Sequence, residues 1–276
     1  MFNFFKSKDK KSSEVLANRN GAKSLISFLL LPEKTAEDFS VIASSIAEQM
    51  NINLKECEVE ITDGVSLSIH TGNGSILLYH MPAPIPNDEI ADVAQANIHT
   101  TQKVEEALSH KSHYILTVLV PLENRLMAEI IRTDVTVGIL KISNAAFVFL
   151  RDRTVLTPKE LYIDVCMAVQ DLPIHPDLWI YYGIKVEGKE ISMYTFGLHT
   201  FGKRDFEILR CTSVKPSEVS LLLRNLVFYV LQNNISFSDG ETIGGFNDEN
   251  EKIPLKLTTG EFVQNDVIRI MWDLQN

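Results

Sequence analysis

Glu190-Ile-Ser-Met-Tyr-Thr-Phe-Gly-Leu-His-Thr-Phe-Gly-Lys-Arg-Asp-Phe-Glu-Ile-Leu209 decides how this chain is read. β-Branched and aromatic residues dominate the stretch, and Gly197 and Gly202 fall where a side chain would obstruct a sharp turn or a close neighbour. It predicts two strands joined by a bend. Regular alternation sets Tyr194, Phe196 and Leu198 on one face and Thr195, Gly197 and His199 on the other. Such a polar face would suit a shallow cleft, but the plainer reading, and the favoured one, is a solvated sheet surface. Glu207, between Phe206 and Ile208, is expected on a strand edge, where it would answer Arg204 or Arg210 in a surface pairing worth little.

Outward from this ribbon the apolar periods name the other elements. Residues 178–186, with the turn at Glu187-Gly188, complete a three-stranded meander, and residues 217–231 form a long apolar helix. Asp239-Gly240 and Thr259-Gly260 mark turns before a last strand over 267–272. Upstream, residues 145–150 read as a strand. Thr157-Pro158 reads as a helix start, with Leu161, Val165 and Ala168 as its buried stripe. Residues 122–141 carry a helical pattern in which Gly138 suits close packing.

The first half gives a strand over 24–31, then a helix capped by Thr35 with Phe39, Ile42, Ala43, Ile46 and Met50 on one face. Three strands follow, turned at Asp63-Gly64 and at Gly72-Asn73-Gly74. The prolines of Met81-Pro-Ala-Pro-Ile-Pro86 force an extended path. A helix from Asn87 or Asp88 to His110, broken near Thr100, leads to a buried strand over 114–120.

Element order repeats along the chain: strand, helix, three strands, helix, strand. The expectation is therefore an α+β protein of two similar lobes. Each lobe has an antiparallel sheet with helices packed on one face; the helix over 122–141 joins them, and the order returns from the strand at 145–150. The first lobe is placed at 21–121 and the second at 122–276, after a disordered leader over 1–20 rich in Lys, Ser, Asn and Asp.

With 276 residues the chain can bury a sizeable core. Its net charge of −10 argues against nucleic-acid binding and is compatible with a basic protein partner. Cys57, Cys166 and Cys211 are far apart, so neither a disulfide framework nor a metal knuckle is indicated. A reducing, cytoplasmic setting follows as the default. No apolar run reaches the ~18 residues of a transmembrane segment.

His110-Lys-Ser-His113 sets two imidazoles three residues apart, but no third ligand follows at short spacing, so no metal and no cofactor are expected. The pair is also what a helix end favours. Asp239-Gly-Glu-Thr-Ile-Gly-Gly245 offers Asp239 and Thr242, residues of ordinary turn chemistry, and no helix start follows to make a phosphate nest. No nucleophile elbow, Walker loop, HExxH or kinase set is present.

Four groups of residues together give a family likeness. They are Met81-Pro-Ala-Pro-Ile-Pro86, the His110-Lys-Ser-His113 pair before an apolar strand, Tyr194-Thr-x-Gly-Leu198 with Phe201-Gly202 and Glu207, and Asp239-Gly-x-Thr-Ile-Gly244. From about Met81 to the C-terminus the chain resembles the bacterial family called domain of unknown function 4261. Where that family leads one to expect an aromatic Tyr-Trp strand end, this chain has Phe147-Val-Phe149. The resemblance implies bacterial origin and a shared fold, and no activity.

Two readings of function follow. One is a non-catalytic cytosolic protein-interaction module, an immunity or accessory protein for a toxin or secretion system. The other is an enzyme or small-ligand binder in which His110, His113, Tyr194, Thr195, His199, Glu207, Asp239 and Thr242 converge on a polar cleft between the lobes. Geometry separates them: convergence in one concave pocket favours the second, and scattered hydrogen-bonded struts favour the first.

Overall fold

The computed structural model describes residues 22–72, 74–121, 125–168, 173–212, 215–244 and 252–272. The expected leader over 1–20, Asn73 of the Gly-Asn-Gly turn and residues 245–250 after the Asp239 loop lie outside them. The chain divides into two compact units. One holds residues up to 151 together with 155–173, and the other holds 152–154 and 174 onward.

The first unit is built on a seven-stranded antiparallel sheet. Its strands are β1 (Ala22–Leu31), β2 (Glu58–Thr62), β3 (Ser66–Thr71), β4 (Gly74–Met81), β5 (Ser112–Pro121), β6 (Phe147–Leu150) and β7 (Val155–Pro158), in the order β2-β3-β4-β5-β1-β6-β7. Helix α1 (Phe39–Met50) and helix α4 (Arg125–Ile142) pack on each other. α1 meets the sheet through Phe39 against Tyr114. Tyr114 is the register partner of Leu29, so this is the odd-numbered face of β1.

Leu30, Phe147 and Phe149 face the other way. They form a core with Ile90, Val93 and Ala94 of α2 (Asn87–Ala96) and Ala107 of α3 (Val104–Leu108). Helices thus lie on both faces of this sheet, where one face was expected. The interrupted helix expected before His110 is the α2–α3 pair, and the chain between them is bonded by Thr100, whose hydroxyl donates to Ala94 O at 2.8 Å.

The second unit holds a six-stranded sheet of order β11-β12-β13-β10-β9-β8. The strands are β8 (Tyr181–Glu187), β9 (Glu190–Phe196), β10 (Phe206–Cys211), β11 (Thr242–Gly244), β12 (Lys252–Thr259) and β13 (Asp266–Ile270). β10 and β13 run parallel, so the sheet is mixed and not purely antiparallel. α7 (Pro216–Gln232) buries Val219, Leu223, Val227 and Val230 along one stripe at helical spacing. α6 (Pro176–Trp179) precedes β8 and buries Trp179 completely.

Several expectations change. The α+β class with two sheets holds, but the repeat does not take the form of two equivalent lobes. β6 was to open the second lobe; instead it pairs with β1 in the first sheet. α4 was to join the lobes; it packs against α1 inside the first unit. In sequence, the first compact unit accordingly runs on past 121 to 173, with residues 152–154 counted in the second. Thr157 and Pro158 end strand β7 against β6 before α5 (Lys159–Ala168) begins, and the fully buried residue of α5 is Tyr162. Asp38, not Thr35, caps α1, accepting from Ser40 N at 2.7 Å. Hydrogen bonding from the Ser40 side chain, and then from its backbone N–H, holds the Asp38 carboxyl below its ordinary range.

Candidate functional site

The expected two-strand ribbon is present with a different join. β9 ends at Phe196, and residues 198–201 form a short 3-10 turn before β10. Gly197 has φ +128°, which a side chain rarely tolerates, and a Cβ there would crowd Arg153 Cδ, Ile180 Cδ1 and Trp179 O at 3.3 Å. His199 therefore sits on the turn and not on a strand face with Thr195.

Thr195 is fully buried and does not open onto a cleft. Its hydroxyl donates to Asp205 Oδ1 at 2.9 Å and accepts from Phe206 N at 2.8 Å. The Asp205 carboxylate, itself buried, also accepts from Leu198 N at 3.1 Å and Gly197 N at 3.4 Å, closing the turn. His199 stays partly exposed, with Nδ1 3.8 Å from Asp205 Oδ2 and its ring tilted on Phe196.

Glu207 departs furthest from expectation. It is fully buried, and its partner is neither Arg204 nor Arg210. Oε1 accepts from Glu261 N at 2.9 Å, Phe262 N at 2.9 Å and Val263 N at 3.4 Å, and Oε2 accepts from Arg269 Nη2 at 3.0 Å. A run of three successive backbone N–H groups thus converges on one carboxylate. Arg210 turns instead to Glu261, at 2.6 Å.

The same loop roofs the sheet beside it. Glu207 is the register partner of Tyr194, and the Tyr194 ring stacks on Phe262 with centroids 4.8 Å apart and planes 10° apart. Below that ring lies Gly183 of edge strand β8, where a Cβ would come within 2.2 Å of Tyr194 Cζ. The ring fills the space that the edge glycine leaves, a cross-strand device that fixes register.

Asp239 and Thr242 lie on the exposed loop and strand after α7. Asp239 Oδ1 accepts from Leu257 N at 2.7 Å, which ties the loop to β12, and Thr242 is the register partner of Pro254 in β11. Asp239 thus serves the turn chemistry expected of it, while Thr242 is a ladder residue of β11 paired with β12.

His110 and His113 belong to the first unit, and both are buried. His110 Nδ1 donates to Ala107 O at 2.7 Å while Nε2 accepts from Ile85 N at 2.9 Å. Those two bonds require the neutral ring, and burial lowers its pKa in the same sense. His113 Nδ1 donates to Ala83 O at 2.8 Å, and burial lowers its pKa as well. The two imidazoles therefore hold the proline-spaced run 81–86, whose prolines lack donors of their own. Among the described residues no group of three or more His, Cys, Asp or Glu is placed to hold a metal.

Sorted by unit, His110 and His113 serve the first, and Tyr194, Thr195, His199, Glu207, Asp239 and Thr242 serve the second. Within the second unit they form separate arrangements: Thr195 and His199 around Asp205, Glu207 and Tyr194 under the 260–263 loop, Asp239 and Thr242 at β11–β12. Asp205, Phe262 and Arg269 complete these arrangements and were not anticipated. Asp205 had a signal, an acid two residues before Glu207 beside a glycine turn; Phe262 and Arg269 are more than fifty residues from Glu207 and had none.

Residues 194–271 match the family model DUF4261, a domain of unknown function. The family likeness is thereby shown over this stretch. The DUF4261 match takes in the Tyr194–Glu207 and Asp239–Gly244 motifs with the roofing loop, and it leaves Met81–Pro86, His110 and His113 outside. No curated protein and no solved structure matches the chain. Among the described residues no helix is long and apolar enough to cross a membrane.

Proposed function

We propose that this chain is a non-catalytic protein-interaction module, an accessory or immunity protein for a bacterial toxin or secretion system working in the cytoplasm. The observation that carries the reading is the spending of the Glu207 carboxylate on three loop N–H groups and Arg269, in a site closed to water. A carboxylate so occupied has no lone pair aimed at a substrate. Thr195, His110 and His113 are committed to neighbouring groups in the same manner. An enzyme or ligand binder built on these residues would need free polar atoms on a common surface. The net charge of −10 favours a basic protein as partner and disfavours nucleic acid.

The test is recovery of the tagged full chain from its native host, followed by light scattering on a sizing column. The expected result is a stoichiometric complex with a second protein. Recovery at the chain's own 31.1 kDa at low and high salt alike would overturn the reading.

A further inference from the structure

The first sheet is covered unequally. α1 and α4 occupy one face, while on the other α2 and α3 cover the end around Leu30, Phe147 and Phe149. The remaining part of that second face, across β2 to β5, carries no helix among the described residues and forms a groove of about 490 Å³. Glu60, Ser68, His70, Leu77, Tyr79 and Ile115 are among its lining residues.

Cross-strand register arranges these side chains in rows. One row runs Glu60, Ser68, Leu77, Thr117, Ile26; the next runs Thr62, Ser66, Tyr79, Ile115, Phe28. Each row starts from an acid or hydroxyl at the β2 edge and ends on an apolar group at β1, with Thr117 as the polar residue between Leu77 and Ile26. Tyr79 on β4 is 43% exposed and Ile26 on β1 is 44% exposed, high values for large apolar side chains on the same sheet face, with β5 between them. Glu58, the partner of His70, extends the acidic edge. Among the described residues no Lys or Arg lies within ion-pair distance of Glu58 or Glu60.

We propose that this open face is a docking surface for a basic amphipathic helix of a partner protein. The helix's apolar stripe would rest on Leu77, Tyr79 and Ile115, and the Lys or Arg residues along one flank would meet Glu58 and Glu60. The proposal rests on the interaction-module reading and gives it a surface and a partner chemistry. Charge complementarity sets the orientation, because the acids line one side alone. The width fits as well: three inter-strand spacings of ~4.8 Å span ~14 Å, and a helix with side chains is ~10–12 Å across. A helix seated there would complete on this face the layer that α1 already makes on the other.

The probe is a labelled amphipathic leucine–lysine helical peptide of about fourteen residues, titrated into the full chain and followed by fluorescence anisotropy. Saturable binding is expected. The Glu58→Lys/Glu60→Lys pair and, separately, Tyr79→Ser should each weaken it by about tenfold or more. All three positions are exposed or half-exposed, so these variants keep the fold, and Glu60→Gln provides a milder version. Methyl resonances of Ile26, Leu77 and Ile115 should shift on binding. No saturable binding at peptide concentrations up to about 1 mM, equal binding by the variants, or shifts confined to other methyls would overturn the proposal. The interaction reading is judged apart from it. A native complex that survives Glu60→Lys with Tyr79→Ser refutes this surface and keeps the reading, whereas absence of any complex refutes the reading itself.

Discussion

Glu207→Ala tests whether the segment that matches DUF4261 uses its buried acid as a strut. The side chain accepts from Glu261 N and Phe262 N at 2.9 Å and from Arg269 Nη2 at 3.0 Å, with Val263 N further off at 3.4 Å. Three charge-assisted bonds at ~1.5–3 kcal/mol each give a gross loss of about 5–9 kcal/mol. Water offsets much of it, because Glu261 is exposed and Phe262 and Arg269 are half-buried, so the freed donors are partly solvated. A net loss of about 3 kcal/mol follows, at the lower end of the ~3–5 kcal/mol seen when one partner of a buried pair is removed. Both tryptophans, Trp179 and Trp272, lie in the second unit, so urea unfolding followed by tryptophan fluorescence reports on it. Hydrogen exchange at the amides of residues 261–263 should accelerate in parallel. Glu207→Gln keeps one acceptor oxygen but turns an NH₂ toward donors, and should fall between the two. A midpoint change worth less than about 1 kcal/mol, with those amides still protected, would refute the strut assignment.

Other expectations follow from close approaches and from one buried acid. Gly183→Ala should destabilise the second unit by about 1–3 kcal/mol, since its Cβ would meet the Tyr194 ring at 2.2 Å; adding Tyr194→Ser should recover part of the loss, and a strictly additive double-mutant cycle would count against the packing account. Gly138→Ala would ordinarily gain ~1 kcal/mol of helix propensity, yet its Cβ would stand 2.9 Å from Ile46 Cα, so thermal unfolding should show a net loss. Asp134 is pushed up from 3.8 to about 6 by burial, which a hydrogen bond with Gln49 opposes in part. The folded state therefore holds the proton more tightly than the unfolded chain. The stability this acid contributes is present below about pH 4 and is lost as pH rises through about 6. Asp134→Asn should gain on the native protein across that window in urea titrations, and a difference that does not vary with pH would exclude the assignment.

Apolar period was the legible part of the fold. β1, α1, the β2–β4 meander, β5, α4, β9 and α7 all lie where alternation or helical spacing put them. Strand partnership was less legible. β6 reads as a strand locally, but nothing in Phe147–Leu150 says that its neighbour is β1, more than a hundred residues earlier. β12 carried a clean alternation of Ile253, Leu255 and Leu257 with polar neighbours, obscured by Pro254, which has no N–H to give to a ladder. Thr157-Pro158 carries a helix-start signal and ends a strand, because pairing with β6 overrides the local preference.

The surroundings of the candidate residues were illegible for a different reason, and that reason bears on function. Phe206-Glu-Ile208 alternates as a half-solvated strand would, and a charged residue there is ordinarily a wet one. Burial of Glu207 depends on a roof contributed from residues 260–263, and local alternation carries no term for a roof that distant. Once the roof is present, the acid's role is fixed by bond counting: a buried carboxylate must be satisfied, and the successive N–H groups of the loop satisfy it. Asp205 does the same for the turn at 197–198. Two buried acids, each closing a loop, explain the polar motifs of the matched segment as the means of building it. Recognition must then reside on groups whose polar atoms and apolar surface are still available. In the first unit exposed Glu58 and Glu60 on edge strand β2, which have no ion-pair partner among the described residues, share a sheet face with exposed Tyr79 and meet that condition.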